Sequence, residues 1–321
     1  MENIAVVRRN GLGDLLCAYP LIRYLQTKKG ASVTLFIDQR NAPLIPYLPK
    51  IEQVVVFPSK GFKYWNMLRT AIPHRKQFDV AVSAKTSPMK LINFFLFCLG
   101  AKKRIAYVDP NKSSKFINQP LQFDVKIAKS MHQALKGLRT VDETCLDVPE
   151  EFYPVLHIPQ KIKDQYPKPQ KSSYPTLLVS ATSNRKTSSL APKRYGSILN
   201  RLHTIYPFNV LIIAEKNDHT LARAIQSELS MDCSVHFPRN FDEFMVLLDA
   251  SDVLLVGDGG TSHLGAALGK AAVVLFGITN PIEWRPLSKK VETLYHPEHV
   301  DHIDDEAIFQ ALKEKVKEWK I

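Results

Sequence analysis

Three short segments carry residue types at spacings that could do chemistry. The stretch VLLVGDGGTSHLGAALG ends an apolar run at Gly257, continues with Asp258, Gly259, Gly260 and Thr261, and places His263 in what reads as the first turn of a helix. Glycines at a helix start present unobstructed N–H groups where the helix dipole is positive, so this is an anion site, suited to a phosphate leaving group. His263 would stabilise that group; the other ordinary use of such a residue is as a satisfied core histidine. The second segment, IAVVRRNGLGDLL, puts Asp14 at a helix start. Its carboxylate reads either as a cap on orphan N–H groups or as a general base, with Gly11 and Gly13 letting backbone approach a substrate closely. Third, Glu215 follows the strand-like run NVLIIA, where a carboxylate is placed to accept ribose hydroxyls.

These segments need strands and helices to position them. Short β-branched runs at 3–7, 33–37, 53–57, 78–83 and 104–108 alternate with amphipathic ones, notably 14–27, which is the mark of βαβ units and a parallel sheet. Six prolines between 149 and 175 indicate a linker, after which the alternation restarts with strands at 176–180, 209–214, 253–256 and 272–276. With 321 residues and roughly 150 per domain, the expectation is two Rossmann-like α/β domains, 1–160 and 161–321, facing a central cleft. The segment 305–321 reads as a last amphipathic helix packed across the domain interface. The strand, glycine loop and helix at 4–16, with Asp38 about twenty residues on, also resembles a dinucleotide fingerprint. Leu16 stands where its third glycine belongs, and the Asp14 carboxylate would repel a pyrophosphate, so NAD or FAD is not expected.

Composition narrows the class further. Hydrophobic residues at 45% and charged residues at 23% exclude a disordered or fibrous chain. The longest apolar run, at 91–99, is too short to cross a bilayer and reads as a buried helix. Residue two is acidic and a strand-like run follows, so no signal peptide is expected and the reading is a cytoplasmic protein. The four cysteines show no metal-ligand spacing, and no metal is expected. The net charge of +12 is uneven: residues 1–160 hold 23 Lys+Arg against 12 Asp+Glu, the remainder 20 against 19. A cationic first half implies an anionic partner. No helix-turn-helix, RNP or zinc-finger pattern accompanies the charge, which argues against nucleic acid.

The run from Asp258 through LGAALGKAAVVLFGITNPIEWRPL resembles the D-[TS]-G-x-x-H-x-A-A-A-x-G-x-P-x-x-x-L-F-G-x-T-x-P motif of the ADP-heptose:lipopolysaccharide heptosyltransferases. RRNGLGDLLCAYPLIRYL is similar to that family's opening loop, KKRIAYVD to its K-R-I-G-Y element, and His132 to a histidine that often follows it. The resemblance implies a GT-B fold and an inverting, metal-independent transfer of heptose from ADP-heptose to an inner-core acceptor of lipopolysaccharide, without a cofactor. It implies Asp14 as the base, and Asp258, Gly259, Gly260, Thr261 and His263 around the diphosphate. The segment SATSNRKTSSLAPKRYGSIL resembles the family's phosphate loop. There Thr182 or Ser183 would offer hydroxyls and Arg185 or Lys186 a cation, Ser189 standing where the family's lysine is expected. Gly259 likewise replaces the usual Thr or Ser, which keeps a different nucleotide sugar as the alternative donor. Lys85, Lys102 and Arg104, with Gly11 and Gly13, would meet the acceptor. GFKYWNMLRT at 61–70 interleaves aromatics with Lys63 and Arg69, which suits peripheral contact with the inner membrane or, equally, a core-facing helix.

Overall fold

In the computed structural model, which describes residues 1–58, 60–111, 115–166, 173–181 and 189–319, the chain forms two units. The first comprises Met1–Pro154 with Ile282–Trp284, and the second Val155–Pro281 with Arg285–Ile321. The first unit holds strands β1 (Asn3–Arg8), β2 (Ser32–Asp38), β3 (Gln53–Phe57), β4 (Val80–Ser83), β5 (Lys103–Val108) and β6 (Gln119–Gln122). Its helices are α1 (Leu12–Thr27), α2 (Lys63–Ala71), α3 (Lys90–Leu99), α4 (Val125–Lys129) and α5 (Gln133–Leu138). The second unit opens with α6 (Gln160–Gln165) and has strands β7 (Thr176–Ala181), β8 (Asn209–Ala214), β9 (Cys233–His236), β10 (Val253–Gly257), β11 (Ala271–Phe276) and β12 (Val291–Tyr295). Helices α7 (Pro192–His203), α8 (His219–Glu228), α9 (Phe241–Ala250), α10 (Gly260–Ala267), α11 (Pro281–Trp284) and α12 (Asp305–Glu318) complete the chain.

Both sheets are wholly parallel, because every strand is followed by a crossover. Their orders, β3-β2-β1-β4-β5-β6 and β12-β11-β10-β7-β8-β9, are the same doubly wound topology. In each, the chain leaves the first strand in one direction and later returns to its other side, so β1/β4 and β7/β10 are switch points where loops diverge. Strands β1, β4, β7 and β10 are covered on both faces, hence their near-continuous Val, Ile, Leu and Ala.

The apolar run at 91–99 is inside α3, a ten-residue helix with Leu91, Ile92, Phe95, Leu96 and Leu99 buried. The last helix corrects an expectation: Ile308, Phe309, Ala311, Leu312 and Val316 of α12 lie in the same core as β7, β8, β10 and β11, so its apolar stripe is satisfied within the second unit.

Two glycines of the second unit stand where a side chain would collide with a neighbour. A Cβ on Gly265 would fall 2.2 Å from Leu254 Cδ1 and one on Gly196 2.6 Å from the Glu228 carbonyl oxygen, so a core side chain must shift in the first case and backbone in the second. Gly265→Ala is therefore expected to destabilise the second unit by about 1–3 kcal/mol, despite alanine's better helix propensity. A thermal melt showing an unchanged or raised Tm would contradict that packing argument.

Candidate active site

At the first switch point the polypeptide leaves β1 through Arg8, Arg9 and Asn10, and the backbone turns at Asn10 with φ 93°. Gly11 caps α1, so Asp14 is the third helical residue and not the cap itself. Its carboxylate still reaches back to accept the Gly11 N–H at 3.2 Å. The Arg8 guanidinium is 1% exposed and donates both to the Ala84 carbonyl, at 2.5 Å, and to the Asp14 carboxylate. The end of β1, the end of β4 and the first turn of α1 are thus held by one side chain. Asp14 keeps 21% of its side chain exposed, enough to meet a hydroxyl. Asp38, the residue a dinucleotide fold would give to ribose, accepts from Arg9 Nε at 2.8 Å and the Asn10 amide at 3.0 Å. That carboxylate is committed to the loop.

Two more cations belong to this end of the sheet. Lys85 follows β4; burial pushes its ammonium below the ordinary lysine value, Arg8 and Lys136 add to the fall, and Asp14 opposes it. Lys136 is buried on α5, and burial lowers its value too, against the hydrogen bond and charge of Glu283. Its Nζ donates to Glu283 at 3.1 Å and to the Ala128 carbonyl. Gln133 joins Thr86 to Glu283, its Nε2 donating to the carboxylate at 3.1 Å. A cavity of about 260 Å³ beside this network is lined by Thr86, Tyr107, Phe123, Met131, Lys136 and Arg139. Sequence reasoning missed Lys136, Gln133 and Glu283. The motif around His132 was the available signal, but His132 Nδ1 accepts the Ala134 amide at 3.1 Å as the cap of α5.

Lys102 and Arg104 are elsewhere. They lie at the amino-terminal end of β5, opposite to the edge carrying Arg8, Asp14 and Lys85. Lys102 pairs with Asp79 at 2.8 Å, and Arg104 donates to the carbonyls of Phe116 and Ala101, each at 2.8 Å. Their assignment to the acceptor is corrected: both tie down loops at the far edge of the sheet.

At the second switch point, β10 ends at Gly257, and the Asp258 amide donates to the Leu275 carbonyl at 2.9 Å, which keeps the buried Asp258 in line with β11. Gly259 caps α10, with no atom within 4 Å of where its Cβ would stand. Ser262 is occupied in donating to the Gly259 carbonyl at 2.8 Å. Gly259, Gly260 and Thr261 remain partly exposed, whereas His263 is 6% exposed. The first-turn amides have no earlier carbonyls in the helix to bond. Glu215 stands exposed after β8, where Ala214 pairs with Ala181 at the end of β7. Thr182, Ser183, Arg185 and Lys186 lie outside the described residues.

Two doubly wound α/β units, each a six-stranded parallel sheet, are the architecture of the GT-B fold. A family model for glycosyltransferase family 9 (heptosyltransferase) matches residues 70–311, and the chain belongs to that family. It is 21% identical, over 97% of its length and 98% of the relative's, to lipopolysaccharide heptosyltransferase 1 of Campylobacter coli. The crystal structure of a glycosyl transferase family 9 protein from Veillonella parvula matches with a TM-score of 0.81 at 15% identity, covering 99% of this chain and 97% of that one. The ADP-heptose LPS heptosyltransferase II of E. coli matches with a TM-score of 0.77 at 16% identity and 100% coverage of both chains.

Because Arg8 aims the Asp14 carboxylate with a two-sided fork, Arg8→Lys should cut turnover by roughly tenfold or more while nucleotide affinity stays the same. Steady-state kinetics beside a nucleotide titration check this; full turnover would show that Asp14 needs no such positioning.

Proposed function

We propose that this enzyme transfers heptose from ADP-heptose to the inner core of lipopolysaccharide by a single inverting displacement, without a metal ion. The observation that carries the reading is the open backbone at Gly259 to Thr261 above the buried His263, an anion cradle at a strand end of the kind that holds a diphosphate. In this mechanism Asp14 takes the proton of an acceptor hydroxyl as its oxygen bonds to the anomeric carbon. The bond from that carbon to the diphosphate breaks on the opposite face, and ADP leaves. The amides of Gly260 and Thr261 and the imidazole of His263 stabilise the departing charge, with Thr182, Ser183 and Lys186 as further donors and Glu215 on the ribose. The sequence has no D-x-D metal-binding pattern to share that task. Lys85, and Lys136 with the cavity it lines, would receive the phosphate or carboxylate groups of an anionic acceptor, and Gly11 and Gly13 would let it approach Asp14. The Campylobacter relative is a lipopolysaccharide heptosyltransferase and the E. coli one an ADP-heptose LPS heptosyltransferase, which supports both substrates.

A different nucleotide sugar is the second reading, favoured by Gly259 and Ser189 standing where the family has hydroxyl and lysine side chains. Thermal shifts with ADP, UDP, GDP and NAD separate the two, since a ligand that binds only the native state raises Tm by mass action. Selective stabilisation by ADP is expected, and selective response to UDP or GDP would replace the donor. Asp14→Asn should then lower turnover by about 100-fold or more with the ADP shift intact, and His263→Ala should shrink the shift. Undiminished turnover in the first variant would remove the base.

We further propose that the enzyme works at the cytoplasmic face of the inner membrane as a peripheral protein. Among the described residues no helix is long and apolar enough to cross a membrane. Helix α2 packs Met67 and Ala71 into the core of the first unit and leaves Tyr64 and Trp65 on its outer face. Phe62 and Trp65 are 73% and 57% exposed. A chain of rings runs from Phe62 through Tyr64 and Phe94 to Phe116 and Phe97, with successive centroids 5.9, 5.3, 5.7 and 5.3 Å apart. Exposed Lys60, Lys63, Arg69 and Lys90 flank it, the combination that holds a protein in an anionic lipid interface. Flotation with anionic vesicles should show salt-sensitive binding that Phe62→Ser with Trp65→Ser weakens about tenfold; equal binding by the variant would exclude the ridge.

A further inference from the structure

The geometry points to a transition-metal site formed by His296, Glu298 and His302 on the second unit. These residues occupy the connection between β12 and α12, to which the mechanism proposed above gives no role. The connection is fixed at both ends. The His296 amide donates to the Phe276 carbonyl at 3.0 Å, continuing the pattern of β11 beside β12. Buried Val300 anchors a short turn, Val300–His302, that brings His302 back over His296. The two imidazole rings meet edge to face with centroids 4.7 Å apart.

One ligand atom from each of the three residues lies within 4.8 Å of the other two. His302 Nδ1 is 3.3 Å from Glu298 Oε2. A tetrahedral ion with bonds of about 2.0–2.1 Å holds its ligand atoms about 3.3 Å apart, so this pair already has the separation of one tetrahedral edge. His296 Nδ1 takes only a 3.4 Å contact from the Glu298 amide, a long hydrogen bond that a metal would displace with little loss. An exposed Glu–His ion pair would account for Glu298 and His302 but gives no reason for a second imidazole at the same point. Two imidazoles and one carboxylate are a borderline ligand set, matched to Zn²⁺, Co²⁺ or Ni²⁺ and not to Mg²⁺ or Ca²⁺. With His302 and Glu298 exposed, the remaining coordination position is open to water.

The neighbouring His299 is excluded from the set by its own geometry. Its Nδ1 accepts the Asp301 amide at 3.0 Å and caps the turn, and its ring centroid is 6.3 Å from that of His302. Asp301 in turn accepts the Ala191 amide at 2.9 Å and faces Arg194 at 3.4 Å. A bound ion therefore braces the turn on which the start of α7 rests, and its effect is on the stability of the second unit.

The test uses the full chain without an affinity tag, stripped with a chelator and then titrated calorimetrically with Zn²⁺, Ni²⁺ and Mg²⁺. The expected result is one equivalent of Zn²⁺ or Ni²⁺ bound with micromolar affinity, a Tm raised by several degrees, and no response to Mg²⁺. His296→Ala with His302→Ala should weaken binding at least tenfold and abolish the Tm rise, while His299→Ala leaves affinity unchanged. Circular dichroism of the apo variants confirms that these surface replacements fold. Absence of binding at about 1 mM metal overturns the proposal, as does binding that survives the double variant, which would move the ion to the cysteines or to other histidines.

Discussion

A guanidinium with almost no contact with water has to be answered by acceptors, and the position of Arg8 therefore dictates much of the first unit. Its two acceptors come from different elements, the carbonyl after β4 and the carboxylate in α1, so satisfying the charge fixes the divergence of the loops at the switch point. The same requirement keeps the Asp14 carboxylate at the mouth of the sheet, partly open to solvent, where a hydroxyl can be met. The arrangement is not fully relaxed. Arg8 Nε is buried without a hydrogen-bond partner among the described residues, and Asn10 holds a positive φ. Costs of this kind, about 1–3 kcal/mol each, collect where geometry serves chemistry more than stability.

The second unit repeats the topology with the opposite electrostatic solution. Among the described residues no arginine lies in β10 or the first turn of α10, and Gly259 and Gly260 keep side chains away from the backbone amides there. One fold thus yields a carboxylate among cations at one switch point and an array of amides at the other. The absence of a side chain at Gly265 lets α10 pack closely against Leu254 of β10.

The interior strands were legible because burial on both faces leaves an unbroken apolar run. Strands β6, β9 and β12, with sequences QPLQ, CSVH and VETLY, escaped the reading since each is a short edge strand with at most partial burial. Gly259 to His263 and Asp14 could be singled out as candidates because glycines and ionisable side chains stand within a few consecutive residues there. The network of Lys136, Gln133 and Glu283 could not, as about 150 positions separate its partners and only tertiary structure unites them. Lys102 and Arg104 illustrate the remaining blind spot. A count of charges carries no direction, and which end of β5 they occupy is decided by the run of the strand. The helix at 305–318 was found from its periodicity, yet the surface receiving it was not, for periodicity tells that a stripe must be covered and not by what.

That last helix has a bearing on how the protein is made. Helix α12 contributes Ile308, Phe309, Leu312 and Val316 to a core whose other members begin at Leu177. A chain emerging from the ribosome can assemble the sheet of the first unit early, since only Ile282–Trp284 of that unit come late. The second unit must hold its exposed β7, β8, β10 and β11 surfaces until α12 arrives, more than a hundred residues after its first strand. During that interval it is the portion of the nascent chain with the most unprotected apolar surface, and the part for which chaperone attendance matters most.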